Sequence, residues 1–421
     1  MQDEKKPVGK SVLARIVMVR AARPVRDMIE RGECVAQEGR SADSAPSNPR
    51  RDASTLAYVF TLKPVGGRCN LGCTYCYYRQ QHDASARQTP TWPIEFVQKV
   101  MSDLAGLERS RGRTTVRLTW HGGEPLLAGL SWYEQVFRYQ QGLSIDFENR
   151  FQTNGTLLTA DWVRFLKANG AKLGFSLDGP EWIHDRQRIG EGAEGTFKMV
   201  MKALDLCREQ DLHLAVLCVV TQGSSRHACE VLDFFYENQV RDVRFHPASP
   251  LSQANTLAGI GVSPAQYAEF MKAAFDWYML KDDPEMRVPT IDSVLERLLG
   301  GEGGDCTVGG TRCGSFPVVE ADGSIAFCDD YGAGAFPSLG NIGSVSMTEA
   351  VRSDVYARCR RKTAARLETN RQCADCAVRK LCGGGCPRDW QGEANRLCEY
   401  HKCFYGYVSE RVGTLLADVL K

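Results

Sequence analysis

From Leu56 onward, short runs of apolar and β-branched residues alternate with longer stretches of helical period. The short runs fall at 56–62, 115–120, 150–153, 173–177, 213–220 and 242–246. The amphipathic stretches fall at 93–107, 160–169, 196–210 and 229–238, with a further helix at 264–281. Strands that alternate with helices in this way predict parallel βαβ units. Such units wind right-handed, and six of them make an incomplete (β/α)6 barrel of the TIM type. In that α/β architecture the functional groups sit at the C-terminal ends of the strands.

The rhythm is absent elsewhere. Residues 1–54 read as an N-terminal extension: 11–32 carry one amphipathic pattern, and 36–54 are rich in Ser, Ala, Pro, Arg and Asp. Residues 55–285 hold the barrel pattern. A glycine break at 300–304 lies within a second region, 286–405, which is Cys-rich, Gly-rich and poor in apolar residues. A C-terminal helix is expected at 406–421.

The chain has 421 residues, 43% of them hydrophobic, enough for a large core. Lys and Arg number 52 against 51 Asp and Glu, so a net charge of +1 offers no field to nucleic acid or to an anionic membrane. No apolar run approaches the ~20 residues of a membrane span. The polar first ten residues show no secretory pattern, and a cytoplasmic protein is expected.

The 17 cysteines change the picture. An odd count without an export pattern argues against a disulfide scaffold, and thiols gathered at short spacings read as metal ligands. Cys69, Cys73 and Cys76 form a C-x3-C-x2-C triplet just after the first strand. Three thiolates hold three irons of a [4Fe–4S] cube and leave the fourth open. A structural zinc would want four ligands. After the second strand comes Leu118-Thr-Trp-His121-Gly122-Gly123-Glu124-Pro125, whose glycines let the backbone approach a ligand closely.

The triplet, with Tyr75 before its last cysteine, resembles the signature of the radical S-adenosylmethionine (SAM) superfamily. That resemblance implies SAM chelated to the open iron and cleaved by one electron to a 5′-deoxyadenosyl radical. It also implies SAM contacts from Tyr75, from Gly122, Gly123 and Glu124, and from Asn154 in Gln152-Thr-Asn154-Gly155. Ser176 in Gly174-Phe-Ser176-Leu-Asp178-Gly, Arg188 and Leu217 complete that set. An Arg suits the SAM carboxylate because its fork matches two oxygens.

The C-terminal cysteines are similar to the SPASM auxiliary-cluster module of peptide-modifying members of that superfamily. The resemblance implies two more [4Fe–4S] clusters in an interlaced pattern. Cys306, Cys313, Cys328 and Cys386 would hold one, and Cys373, Cys376, Cys382 and Cys403 the other. Six cysteines remain: Cys34, Cys207, Cys218, Cys229, Cys359 and Cys398. Cys207, Cys218 and Cys229 read as small core residues, and Cys398 competes with Cys403 on spacing.

Specific strings narrow the resemblance to the anaerobic sulfatase-maturating enzymes, which oxidise a Cys or Ser of a sulfatase to formylglycine. They include Cys73-Thr-Tyr-Cys-Tyr-Tyr78 and Val318-Val-Glu-Ala-Asp-Gly-Ser324. The resemblance implies a general base at Asp329, with Asp330 beside it as the alternative. Substrate- or SAM-facing polar residues would be Tyr78 and His121, the latter where the family has Gln. The substrate would be a protein or peptide, a sulfatase or a ribosomally made precursor, and the donor a flavodoxin or ferredoxin. A maturase that cross-links or otherwise modifies a precursor peptide is the second reading of the same resemblance.

Overall fold

The computed structural model describes residues 57–78, 88–248, 259–310, 312–329, 336–392 and 394–419. The N-terminal extension, Cys34, Asp330 and Tyr331 lie outside them.

The expected alternation is present. It runs β1 (Phe60–Leu62), α1 (Ile94–Ser110), β2 (Thr115–Trp120), α2 (Leu130–Gln141), β3 (Asp146–Thr153), α3 (Ala160–Ala168) and β4 (Lys172–Ser176). It continues with α4 (Glu181–His184), α5 (Phe197–Glu209), β5 (Leu214–Val220), α6 (Ala228–Glu237), β6 (Asp242–Pro247), α7 (Pro264–Lys281) and α8 (Pro289–Leu298). Strands β1 to β6 pair in sequence order, all parallel, in an open arc. This is the partial barrel.

Local signals explain several boundaries. Helix α7 starts where Ser263 and Gln266 form a reciprocal capping box ahead of Pro264 at the first helical position. It stops at Asp282, which turns left-handed at φ 48°. Strand β3 begins four residues earlier than its apolar run. Its polar start is held by Glu148, which faces Arg117, Arg150 and Lys172. The pairs to Arg117 and Lys172 cross to the neighbouring strands, and they replace the apolar pattern that sequence reading relies on.

The arc does not end at β1. Val318–Val319, here β7, pairs in parallel with β1, matching Thr61 to Val318 and Leu62 to Val319. β7 then forms an antiparallel hairpin with β8 (Ile325–Ala326). The Cys-rich region thus extends the barrel sheet. It continues through α9 (Met347–Arg352), α10 (Asp354–Thr369), α11 (Arg371–Ala374), α12 (Arg379–Cys382), the hairpin β9 (Trp390–Gln391) and β10 (Ala394–Asn395), and α13 (Cys398–Val419). Helix α13 starts at Cys398, eight residues before the expected 406, and packs back on α7. Tyr407 donates to Asp276 at 2.7 Å, and the Tyr267 and Tyr400 rings lie 4.7 Å apart. Among the described residues no helix is long and apolar enough to cross a membrane.

Candidate functional site

In a strand successive side chains face opposite ways. On β2 and β5 the stripe under the helices is buried: Val116, Leu118 and Trp120, then Leu214, Val216, Cys218 and Val220. The other stripe faces the inside of the arc. It carries Lys63 and His121 just past β1 and β2, then Gln152, Ser176, Leu217 and Arg244. An unclosed barrel cannot fill its own interior, so this stripe is left for ligands.

The loop after β1 brings Cys69, Cys73 and Cys76 to the C-terminal end of the arc. Its backbone is stitched to the segment on either side of Arg188: Gly72 N donates to the Ile189 carbonyl at 2.7 Å and Thr74 N to that of Gln187 at 2.9 Å. Two N–H donors turn toward one sulfur. Leu71 N lies 3.4 Å and Asn154 Nδ2 3.7 Å from Cys69 Sγ. Burial pushes the Cys69 thiol up to about 12 and the Cys73 thiol up to about 11. A bound cation reverses that cost, because a coordinating thiol is deprotonated outright. Donors aimed at sulfur and desolvated thiols that need a positive partner fit an iron–sulfur cluster. Among the described residues no three His, Cys, Asp or Glu side chains converge on a point for one metal ion.

The glycines after β2 serve a close approach, but its partner is the chain itself. Gly123 N donates to the Gly66 carbonyl at 2.8 Å and Glu124 N to that of Arg68 at 2.9 Å. A Cβ on Gly122 would stand 2.5 Å from Gly66 O. The expected approach to a ligand is thus preceded by one to the cluster loop. The Glu124 carboxylate is fully buried and accepts from Leu126 N, Thr153 Oγ1 and Asn154 N at 3.0, 2.8 and 2.7 Å. It latches β2 to β3 and carries Asn154 toward Cys69. Burial raises its pKa to about 7.

Asp178, 1% exposed, gathers the far side of the loop. Its Oδ2 accepts from Tyr75 Oη at 2.5 Å and pairs with Arg188 Nε at 3.0 Å, and its Oδ1 accepts from Val219 N at 2.9 Å. Burial opposes charge on Arg188, but Asp178 and then Tyr75 raise its pKa. His184 supports the turn. Its Nδ1 takes the Asp178 N–H at 3.4 Å, and its Nε2 meets Thr196 Oγ1 at 3.0 Å. Ser176 is held by Gln152 Nε2 at 3.2 Å.

Asp329 lies across the arc from this group. Its Oδ1 is 2.6 Å from Lys63 Nζ, and its Oδ2 is 3.7 Å from His121 Nδ1. Burial opposes ionisation of Asp329, but Lys63 and then His121 outweigh it and hold the carboxyl below the usual range. The Tyr78 ring lies beneath Lys63 Nζ, 5.3 Å away, and 4.2 Å from the Tyr77 ring. The structure therefore brings Tyr78, His121 and Asp329 to one corner.

Among the auxiliary cysteines the structure brings together a different fourth residue from the expected one. Cys373, Cys376 and Cys382 line a cavity with Cys398, whereas Cys403 is exposed and is not among the lining residues. Helix α13 explains this. Cys398 stands at its first residue beside the C-x2-C turn, and Cys403, more than a turn later, faces outward. Burial pushes the Cys382 thiol up to about 12. Cys386 is buried and lines a neighbouring cavity with Asp305, Thr307 and Arg388. Of the remaining cysteines, Cys207, Cys218 and Cys359 are buried, but Cys229 is exposed and is no core residue.

Sequence reading missed Lys63 and Glu320. The available signal was a lysine ending an otherwise apolar strand, which calls for an anionic partner.

Comparison with known proteins adds three findings. The Radical SAM superfamily model matches residues 64–235, and the SPASM iron–sulfur cluster-binding domain model matches 306–377. A cysteine-type anaerobic sulfatase-maturating enzyme of Clostridium perfringens (strain 13 / Type A) is 30% identical over 363 residues, covering 83% of this chain and 96% of that protein. A serine-type enzyme of Bacteroides thetaiotaomicron is 29% identical over 378 residues, covering 83% and 88%. The solved structure described as native anSMEcpe with bound AdoMet and Cp18Cys peptide superposes with a TM-score of 0.75 at 28% identity, covering 86% of this chain and 99% of that one.

Proposed function

The chain belongs to the anaerobic sulfatase-maturating enzymes of the radical SAM superfamily, and on that premise we propose that it oxidises Cβ of a Cys or Ser in a protein or peptide, with Asp329 as general base. The observation that carries this reading is the Asp329 carboxylate, set beside Cys328, paired with Lys63 and facing His121 on the inward stripe. A base must lie within hydrogen-bond reach of its proton.

Cys69, Cys73 and Cys76 would hold the cluster that takes SAM. Tyr75, Gly122, Gly123, Asn154, Ser176, Arg188 and Leu217 would hold SAM itself, with Glu124 fixing the loop. When bound, cluster and SAM supply a carbon radical that removes one hydrogen atom from the substrate. Asp329 accepts the S–H or O–H proton of the same side chain. Tyr78 and His121 flank the bond being oxidised and orient the peptide. Cys306, Cys313, Cys328 and Cys386 would ligate one auxiliary cluster, which would supply a sink for the remaining electron. Cys373, Cys376, Cys382 and Cys398 would ligate a second auxiliary cluster, and a flavodoxin or ferredoxin would serve as the electron donor.

The test is Asp329→Asn in the iron-loaded protein, given SAM, a reductant and a sulfatase peptide that carries the target Cys or Ser. Deoxyadenosine should still form while peptide oxidation disappears, read as a mass loss of about two hydrogens at a Ser target and as that loss with exchange of sulfur for oxygen at a Cys target. A variant that oxidises peptide at the wild-type rate removes Asp329 from the role.

A further inference from the structure

Lys63 is 4% exposed and touches two carboxylates, Asp329 Oδ1 at 2.6 Å and Glu320 Oε1 at 2.9 Å. A buried lysine is expensive unless paired, so this position has a reason. Its backbone is fixed by sheet pairing: Lys63 N donates to the Val319 carbonyl at 3.1 Å, and His121 N donates to that of Leu62 at 2.9 Å. Because β7 runs parallel to β1, Glu320 emerges at the same strand end as Lys63. The ammonium lies over the Tyr78 ring, and the lysine stem lies beneath Gly122.

We propose that Lys63 is the positioning residue for Asp329: it takes Oδ1 and so presents Oδ2, on the His121 side, to the substrate. This rests on the reading of Asp329 as base. Glu320 is the second anchor. It holds the ammonium at 2.9 Å as a second carboxylate, so that the lysine does not follow Asp329 when substrate or product moves it. Trp92 Nε1 holds the loop after Glu320 through the Ala321 carbonyl at 2.8 Å, which keeps that anchor in register. The proton received from the substrate therefore arrives on Oδ2, while Oδ1 remains with the ammonium. No charge crosses the pair in the step.

The experiment compares Lys63→Gln, Lys63→Arg, Glu320→Gln and Asp329→Asn in iron-loaded protein. It reads iron content, SAM binding by equilibrium dialysis, and peptide oxidised per deoxyadenosine formed. Lys63→Gln should keep its iron and SAM binding but lower that ratio at least tenfold, through kcat and not through the peptide KM. Lys63→Arg should restore it to within about threefold, because a guanidinium keeps two-sided pairing. Glu320→Gln should lower it about threefold; this variant decides the matter if Lys63→Gln fails to fold. Loss of iron in Lys63→Gln with a normal ratio in Glu320→Gln would overturn the proposal in favour of a scaffold role. So would a wild-type ratio in Lys63→Gln while Asp329→Asn is inactive. Normal oxidation by Asp329→Asn would instead remove the base reading itself.

Discussion

Gly123 and Arg68 are in backbone contact so close that a Cβ built on the glycine would stand 2.2 Å from the Arg68 carbonyl oxygen. Arg68 immediately precedes Cys69, so the glycine fixes where the first thiol lies. Gly123→Ala must push the cluster loop aside, at a cost on the order of 3 kcal/mol. The expected outcome is loss of about four irons per chain and of SAM binding, measured by iron assay and dialysis. Gly106→Ala is the control. Nothing lies within 4 Å of its Cβ, and in a helix Ala gains up to ~1 kcal/mol over Gly.

The placement of Cys398 makes a clean pair of variants. Cys398→Ser should remove the cluster proposed for Cys373, Cys376, Cys382 and Cys398, about four irons per chain, and slow turnover with a protein electron carrier. Cys403→Ser should keep full iron content. The reverse result would restore Cys403 as the ligand.

Asp178 joins Tyr75 and Arg188, and on the proposed reading this would set how Arg188 meets a SAM carboxylate. Asp178→Asn leaves the guanidinium buried without its counter-charge, which costs several kcal/mol where a pair is broken on one side. SAM affinity should fall by about 10- to 100-fold, a change of roughly 1.4 to 3 kcal/mol. Tyr75→Phe removes only one hydrogen bond and should fall by less than about tenfold.

Burial holds His184 neutral and lowers its pKa from 6.5 to about 4. A folded pKa below the unfolded one means stability that is complete above pH 6.5 and is lost as pH falls toward 4. At about 1.4 kcal/mol per unit the loss approaches ~3 kcal/mol. Urea titrations at pH 7 and pH 5 should show it, and His184→Gln should flatten that slope. An unchanged slope in the variant would assign the acid sensitivity to another group.

The alternating pattern made the six strands and five of the helices legible, because buried stripes of Val, Leu and Phe leave a period in the chain. The three-thiol loop was equally plain, since its ligands are neighbours in sequence. What escaped was set by pairing over long range. Val318–Val319 is too short to read as a strand, and only its ladder to Thr61 and Leu62 makes it the seventh. Lys63, Glu320 and Asp329 meet across more than 250 residues, so no local window contains them. Cys398 and Cys403 have equivalent spacing credentials. The start of α13 is what separates them.

The strand pairing between β1 and β7 also decides how the molecule can be divided. Cutting the chain before Cys306 would bare the outer ladder of Phe60–Leu62, a strand with no residue more than 7% exposed. A naked apolar edge recruits other chains, so the front portion alone should precipitate and not persist as a monomeric SAM-cleaving core. Radical generation and electron removal are thereby made inseparable at the level of solubility: a chain that loses the means to dispose of electrons also loses the means to stay dispersed.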